Sequence, residues 1–302
     1  MNDARRPEVE SFFDPETFTA THVAYDHVGG CCAIIDPVLD FDPKSGSTGE
    51  HSLRRLVSWV RSKDLTVEWI LETHVHADHL SAAPRLRAEL GGRIGIGAHV
   101  RDVQAIFGEL FNAECSFRAD GSQFDVLFDE GATFMIGELE AQVMHTPGHT
   151  PACVTYIVGD CAFVGDTLFA PDFGTARCDF PGGDAATLFR SAQRVLSLPA
   201  ETRLFLCHDY PPASRGVLLE TTVAAQRSEN IHVHEGTSEA DFVELRTARD
   251  ATLSMPTLIL PSVQVNMRAG ELPPPEENGM RYLKIPLDAF ASNEPDAAGT
   301  AR

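Results

Sequence analysis

The residues best suited to chemistry stand in one hexapeptide, His74-Val75-His76-Ala77-Asp78-His79. Imidazole and carboxylate are the usual donors to zinc, iron and manganese. The run follows residues 66–72, a β-branched, apolar stretch that reads as a strand. An extended chain sends successive side chains to opposite faces. These donors can therefore converge only where the chain turns at the strand end. Three more candidates each follow an apolar run: His149 in Thr146-Pro147-Gly148-His149-Thr150, Asp166 in Gly165-Asp166-Thr167, and His208 in Cys207-His208-Asp209. Singly, each is an ordinary loop residue. In this order behind the hexapeptide, they form a metal-ligand constellation. Spacing alone leaves one metal and two metals both open.

The positioning elements are read from periodicity. Residues 18–26 and 31–38 predict paired strands across Gly29-Gly30, and 39–50 a loop. Helices are predicted at 52–63 and at 80–90, the latter closed by Gly91-Gly92. Strand patterns recur at 93–97, 123–127, 132–136, 139–145, 152–158 and 161–164. Helix 184–196 has Asp184 as its cap, and a strand at 203–206 leads into Cys207-His208. Helices follow at 215–227 and 238–251, then a proline-rich ordered extension over 256–290. The first 13 residues read as a lead-in, and 291–302 as a frayed tail. This order suits two sheets packed face to face with helices outside. The division expected is a catalytic domain at 14–230, an extension at 231–290 packed on it, and a disordered tail.

Composition narrows the function. A net charge of −20 over 302 residues repels phosphate backbones and anionic lipid, which argues against nucleic-acid and membrane partners. No apolar run approaches the ~20 residues that span a bilayer, and the N-terminus lacks a signal-peptide core. Seven cysteines without regular spacing fit a reducing compartment. A cytoplasmic protein is expected. Cys31, Cys32, Cys153, Cys161, Cys178 and Cys207 read as small core residues. His232 and His234 alternate as on a strand, but nothing near them in sequence completes a metal site. His51 and His99 are weaker still as ligands, and His145 reads as a partly buried or supporting histidine.

The HxHxDH run, the TPGHT histidine, the GDT aspartate and the late histidine together resemble the ordered signature of the metallo-β-lactamase superfamily, over residues 18–212. The resemblance implies a four-layer αββα sandwich with metal at one rim. It offers two metal pockets: one from His74, His76 and His149, the other from Asp78, His79 and His208, with Asp166 between. After His79 stands Leu80-Ser81-Ala82-Ala83, where glyoxalase II has glycines. That run, Asp166-Thr167-Leu168-Phe169 through Gly183, His208-Asp209-Tyr210-Pro211-Pro212, Arg246-Thr247-Ala248-Arg249-Asp250-Ala251-Thr252-Leu253, and Gln264-Val265-Asn266-Met267-Arg268-Ala269-Gly270 resemble bacterial persulfide dioxygenases.

This finer resemblance implies one Fe(II) per chain on His74, His149 and Asp166, the facial triad of non-haem iron oxygenases. His76, Asp78, His79 and His208 would then orient ligands and order water. It implies oxidation of glutathione persulfide by O2 and water to sulfite and glutathione. Arg177 would grip a glutathione carboxylate and Tyr210 would hydrogen-bond substrate; a surface salt bridge and rim packing are the alternatives. Cys178 reads as packing. The rival function is a dinuclear zinc thioester hydrolase of the glyoxalase II type, and zinc can also substitute in an iron site. The segment around Pro273-Pro274-Pro275 is a candidate for a homodimer contact or for a cover on the sheet.

Overall fold

The computed structural model describes residues 6–289. The predicted tail at 291–302 lies outside the described residues.

Strand β3 (Cys31–Ile35), which reads CCAII, shows why sheets stack here. A strand with no polar face needs cover on both sides. Cys32 and Ile34 face one core while Ala33 and Ile35 face another. The first sheet runs in chain order: β1 (Glu8–Asp14), β2 (Thr19–Tyr25), β3, β4 (Thr66–Leu71), β5 (Arg93–Gly97) and β6 (Val126–Phe128). Pairing is antiparallel as far as β3 and parallel beyond it. The second sheet also runs in chain order: β7 (Thr133–Ile136), β8 (Leu139–His145), β9 (Val154–Val158), β10 (Cys161–Phe163), β11 (Arg203–Phe205) and β12 (Glu220–Thr222). Leu71, Phe128, Val143, Tyr156 and Phe163 fill the space between the sheets.

Seven α-helices lie among the described residues: α1 (His51–Ser62), α2 (Ala83–Leu90), α3 (Val100–Leu110), α4 (Ala185–Leu196), α5 (Val223–Glu229), α6 (Glu239–Asp250) and α7 (Ile259–Asn266). α1 buries Leu53, Leu56, Val57 and Val60, one stripe at helical spacing, in the outer core of the first sheet. Residues of α2, α3 and α7 join that core. Leu188, Ala192 and Val195 of α4, with Val223 of α5 and Phe242 of α6, make the outer core of the second sheet. The result is the four-layer αββα sandwich expected.

Several boundaries differ from the sequence reading, each for a physical reason. The lead-in contains β1, which pairs along its whole length with β2. Leu80 and Ser81 are extended and pair with Val38 and Leu39, so α2 starts only at Ala83. Helix α3 carries no sequence prediction, although it buries Val100, Val103, Gln104 and Phe107. The helix predicted at 215–227 is β12 followed by α5, because Glu220–Thr222 closes the edge of the second sheet against β11. Sheet pairing overrides local propensity there. Asp184 caps α4 as read, accepting the Thr187 N–H at 2.7 Å.

Strands β4, β8, β10 and β11 all deliver their C-terminal ends to one rim, where the candidate ligands stand. The turn after β8 is docked on α4 by Asp184 N–H to Gly148 O at 2.9 Å and Ser191 Oγ to Pro147 O at 2.6 Å. Gly148 has φ 138°, and a Cβ there would lie 2.3 Å from Leu188 Cα. Only glycine permits this approach.

Candidate metal centre

At this rim each histidine of the constellation has one ring nitrogen held by an oxygen. Thr73 donates its hydroxyl to Asp36 Oδ2 at 2.8 Å, so it accepts from His74 Nδ1–H at 3.0 Å. His149 Nδ1 donates to Arg177 O at 2.8 Å and His208 Nδ1 to Phe18 O at 3.1 Å. His79 Nδ1 meets Asp78 Oδ2 at 3.1 Å. His76 is reversed: its Nε2 lies 2.9 Å from Asp36 Oδ1 and 3.2 Å from Glu72 Oε2. Fixing one nitrogen fixes the tautomer and aims the other.

The aimed atoms converge. Asp166 Oδ2 lies 3.9 Å from His74 Nε2 and 3.4 Å from His149 Nε2. His208 Nε2 is 3.4 Å from both Asp166 Oδ1 and Asp78 Oδ2. Among the described residues, His74 Nε2, His76 Nδ1, His79 Nε2 and Asp166 Oδ1 are buried without any hydrogen-bond partner. Buried polar atoms are rarely left so, and a metal ion satisfies them. The residues therefore fit a metal. His74, His149 and Asp166 form one compact donor set; His76, Asp78 and His79 form another; Asp36, Glu72 and His76 form a third.

The electrostatics divide these groups. Burial, reinforced by His76 and His149, pushes the His74 pKa well below that of free imidazole, the neutral form a metal needs. Burial also opposes charge on His76, but Asp36 and Glu72 outweigh it and hold its pKa well above the ordinary value. His208 is likewise raised, with Asp78 and Asp166 outweighing burial. His208 and His79 in turn hold Asp78 well below the usual carboxylate range against its own burial.

A cavity of about 300 Å³ opens onto His149, Asp166, His208 and Asp78. Phe169, Phe173, Phe180 and Tyr210 wall it, and Arg177, Arg246 and Arg249 line it. Tyr210 stacks on Phe173 and His208, and burial pushes its phenol pKa up, so it stays protonated. Arg177 is not free. Its guanidinium pairs bidentately with Asp179 at 2.6 and 2.7 Å and donates to Ser254 O at 2.6 Å. Arg246 is tied to Asp250 at 2.6 Å. Among the described residues lining the cavity, Arg249 is the cation without a carboxylate partner, lying over the Phe173 ring.

Other histidines are structural. His232 is buried and accepts the Thr175 N–H at 3.0 Å; it lies in a turn, not a strand. His234 pairs with Thr237, and His145 stacks on His99. The cysteines are free; Cys115 is exposed and Cys31 half-buried, and the other five are buried. The sequence reading missed Asp36, Glu72, Arg249 and Asn266. Asp36 carried one signal, a lone carboxylate directly after the wholly apolar β3. Asn266 carried only its place in the Gln264-Val265-Asn266-Met267-Arg268 run of the family resemblance.

Donor-bearing loops in this order at one rim of an αββα sandwich define a metalloprotein, and the sequence profile described as Metallo-beta-lactamase superfamily matches residues 20–208. The chain belongs to that superfamily. It is 59% identical over 292 residues to a probable metallo-hydrolase of Burkholderia pseudomallei, covering 93% of this chain and 99% of the relative. It is 46% identical to Glyoxylase B2 of Dictyostelium discoideum, over 94% of this chain and 98% of that one. The mitochondrial persulfide dioxygenase ETHE1 of Homo sapiens is 28% identical, over 87% and 88% respectively. The crystal structure of ETHE1 from Myxococcus xanthus superposes with a TM-score of 0.69 at 29% identity, covering 87% of this chain and all of that one.

Proposed function

We propose that the protein is a non-haem Fe(II) persulfide dioxygenase, oxidising a small-molecule thiol persulfide such as glutathione persulfide with O2 and water to sulfite and the free thiol. The observation that carries this reading is the buried His74–His149–Asp166 set, two imidazoles and one carboxylate. Two of its members, His149 and Asp166, open directly onto the cavity, whereas His76 and His79 do not line it. Bound Fe(II) would supply O2 activation and a seat for the substrate sulfur.

The chain's own residues do the rest. Thr73 and the Arg177 carbonyl hold the Nδ1 atoms of the two imidazoles, which fixes their tautomers and aims their Nε2 atoms at Asp166. The phenylalanine walls keep water from a sulfur bound beside Asp166. Tyr210, protonated at neutral pH, donates a hydrogen bond into the cavity. Arg249 meets the carboxylate of the thiol carrier at the mouth, while Arg177 is held by Asp179.

A second reading is a dinuclear zinc thioester hydrolase of the glyoxalase II type. The unpartnered His76 Nδ1 and His79 Nε2 favour it, as does the similarity to Glyoxylase B2. One pair of assays separates the two. Anaerobically iron-loaded protein given glutathione persulfide should consume O2 and form sulfite, and zinc-loaded protein should not cleave S-lactoylglutathione. Thioester cleavage without O2 uptake would instead establish the hydrolase.

A further inference from the structure

The loop that carries His74 to His79 is gripped by a side chain from the last helix. Asn266 ends α7 and is 4% exposed. Its carboxamide spends both donors on this loop and its oxygen on the strand that follows it. Nδ2 donates to His76 O at 2.9 Å and to His79 O at 2.7 Å, and Oδ1 accepts the Ser81 N–H at 2.8 Å. The two carbonyls flank Ala77-Asp78, so one side chain closes the arch His76-Ala77-Asp78-His79 at both ends. Main-chain groups of an irregular buried turn need such partners. A loop without them would sample other backbone angles, and the free nitrogens of His76 and His79 would no longer face the ligands beyond.

We infer that Asn266 is a positioning residue of the metal centre: it presets the His76–His79 arch so that its donor atoms stand in place before any ion arrives. The chemistry selects asparagine. Two donors and one acceptor at this reach match two carbonyls and one N–H. Aspartate has the same size but would turn a carboxylate oxygen toward two carbonyl oxygens. Glutamine is longer by one methylene and would overfill a buried seat.

The test reads metal retention and is therefore blind to which reaction the centre performs. The dissociation constant for Zn(II) is measured by chelator competition, alongside the d–d absorption of the Co(II) form and thermal melting of the metal-free protein. Asn266→Ala should weaken Zn(II) binding roughly 10- to 100-fold and alter the Co(II) bands while the metal-free protein still melts cooperatively. Asn266→Asp, which keeps the acceptor for Ser81 and loses both donors, should bind metal no better than the alanine variant. Val265→Ala is the control. It removes a fully buried side chain of α7 but leaves the carboxamide in place, so it should lower the melting temperature and keep Zn(II) affinity within about threefold of wild type, well short of that loss. Wild-type affinity in both Asn266 variants would overturn the inference. So would an equal loss in Val265→Ala, or failure of both Asn266 variants to fold without metal, because either makes Asn266 a residue of the fold alone.

Discussion

Arg177 and Arg249 share one cavity wall but not one role. Arg177 has its charge answered by Asp179, whereas Arg249 is exposed, lies over the ring of Phe173 and has no carboxylate partner among the described residues. Losing a cation that grips substrate equally in ground and transition states raises KM and spares kcat. Arg249→Ala should therefore raise KM roughly 10-fold, and Arg177→Ala should raise it less. Steady-state kinetics that rank the two the other way would return the carboxylate to Arg177. Two buried histidines make a separate, pH-dependent contribution. Burial lowers both His22 and His232 from 6.5 to about 4. Between those values the unfolded chain binds more protons, so stability rises with pH. The contribution is complete above pH 6.5 and is lost as pH falls toward 4. At pH 5 each histidine should cost on the order of 1–2 kcal/mol relative to pH 7.5. Urea unfolding of metal-free protein at the two pH values, with His232→Gln as comparison, measures it. An unchanged pH slope in that variant would show that His232 does not contribute.

Helix α6 acts as a clamp. Arg246 and Asp250, one turn apart and both buried, form an ion pair. Arg246 also donates to Thr175 O at 3.2 Å, and Asp250 accepts the Cys178 N–H at 2.9 Å. Between those two points lies Arg177, whose carbonyl orients His149. Asp250→Ala leaves a buried guanidinium without its partner, which costs about 3–5 kcal/mol in comparable pairs. Denaturant unfolding should show a loss of that size, with His149 loosened and metal retention reduced. A loss under about 1 kcal/mol would mean that water reaches Arg246 and the clamp is weak. The sequence revealed α6 itself, as the helix predicted at 238–251. It did not reveal what α6 holds, because a helix's periodicity reports which face is buried and not against what.

At the scale of the whole molecule, the segment after residue 230 is more than a cover. Phe242 of α6 belongs to the outer core of the second sheet, and Ile259 and Val263 of α7 to that of the first. Through Asn266 helix α7 reaches the His74–His79 loop, and through Asp250 helix α6 reaches Cys178, beside the Arg177 carbonyl that meets His149. Read from sequence, residues 256–290 are a proline-rich extension expected to pack on the catalytic domain, but which residues it would hold is invisible there. No helix among the described residues is long and apolar enough to cross a membrane.

The sequence by itself determined the donors and their order: His74 to His79 after one strand, then His149, Asp166 and His208, each after another. It also determined the two-sheet architecture, since wholly apolar strands such as β3 require cover on both faces. These are local facts, carried by residue type and by periods of a few positions. Only the tertiary structure decided which imidazole nitrogen is free, that Arg177 is spoken for by Asp179, that Asp36 holds both Thr73 and His76, and that Asn266 reaches a loop 190 residues away in the chain. Such contacts exist only once the four layers dock, because hydrogen bonds reach about 3 Å and no spacing rule along the chain encodes which distant groups will come that close.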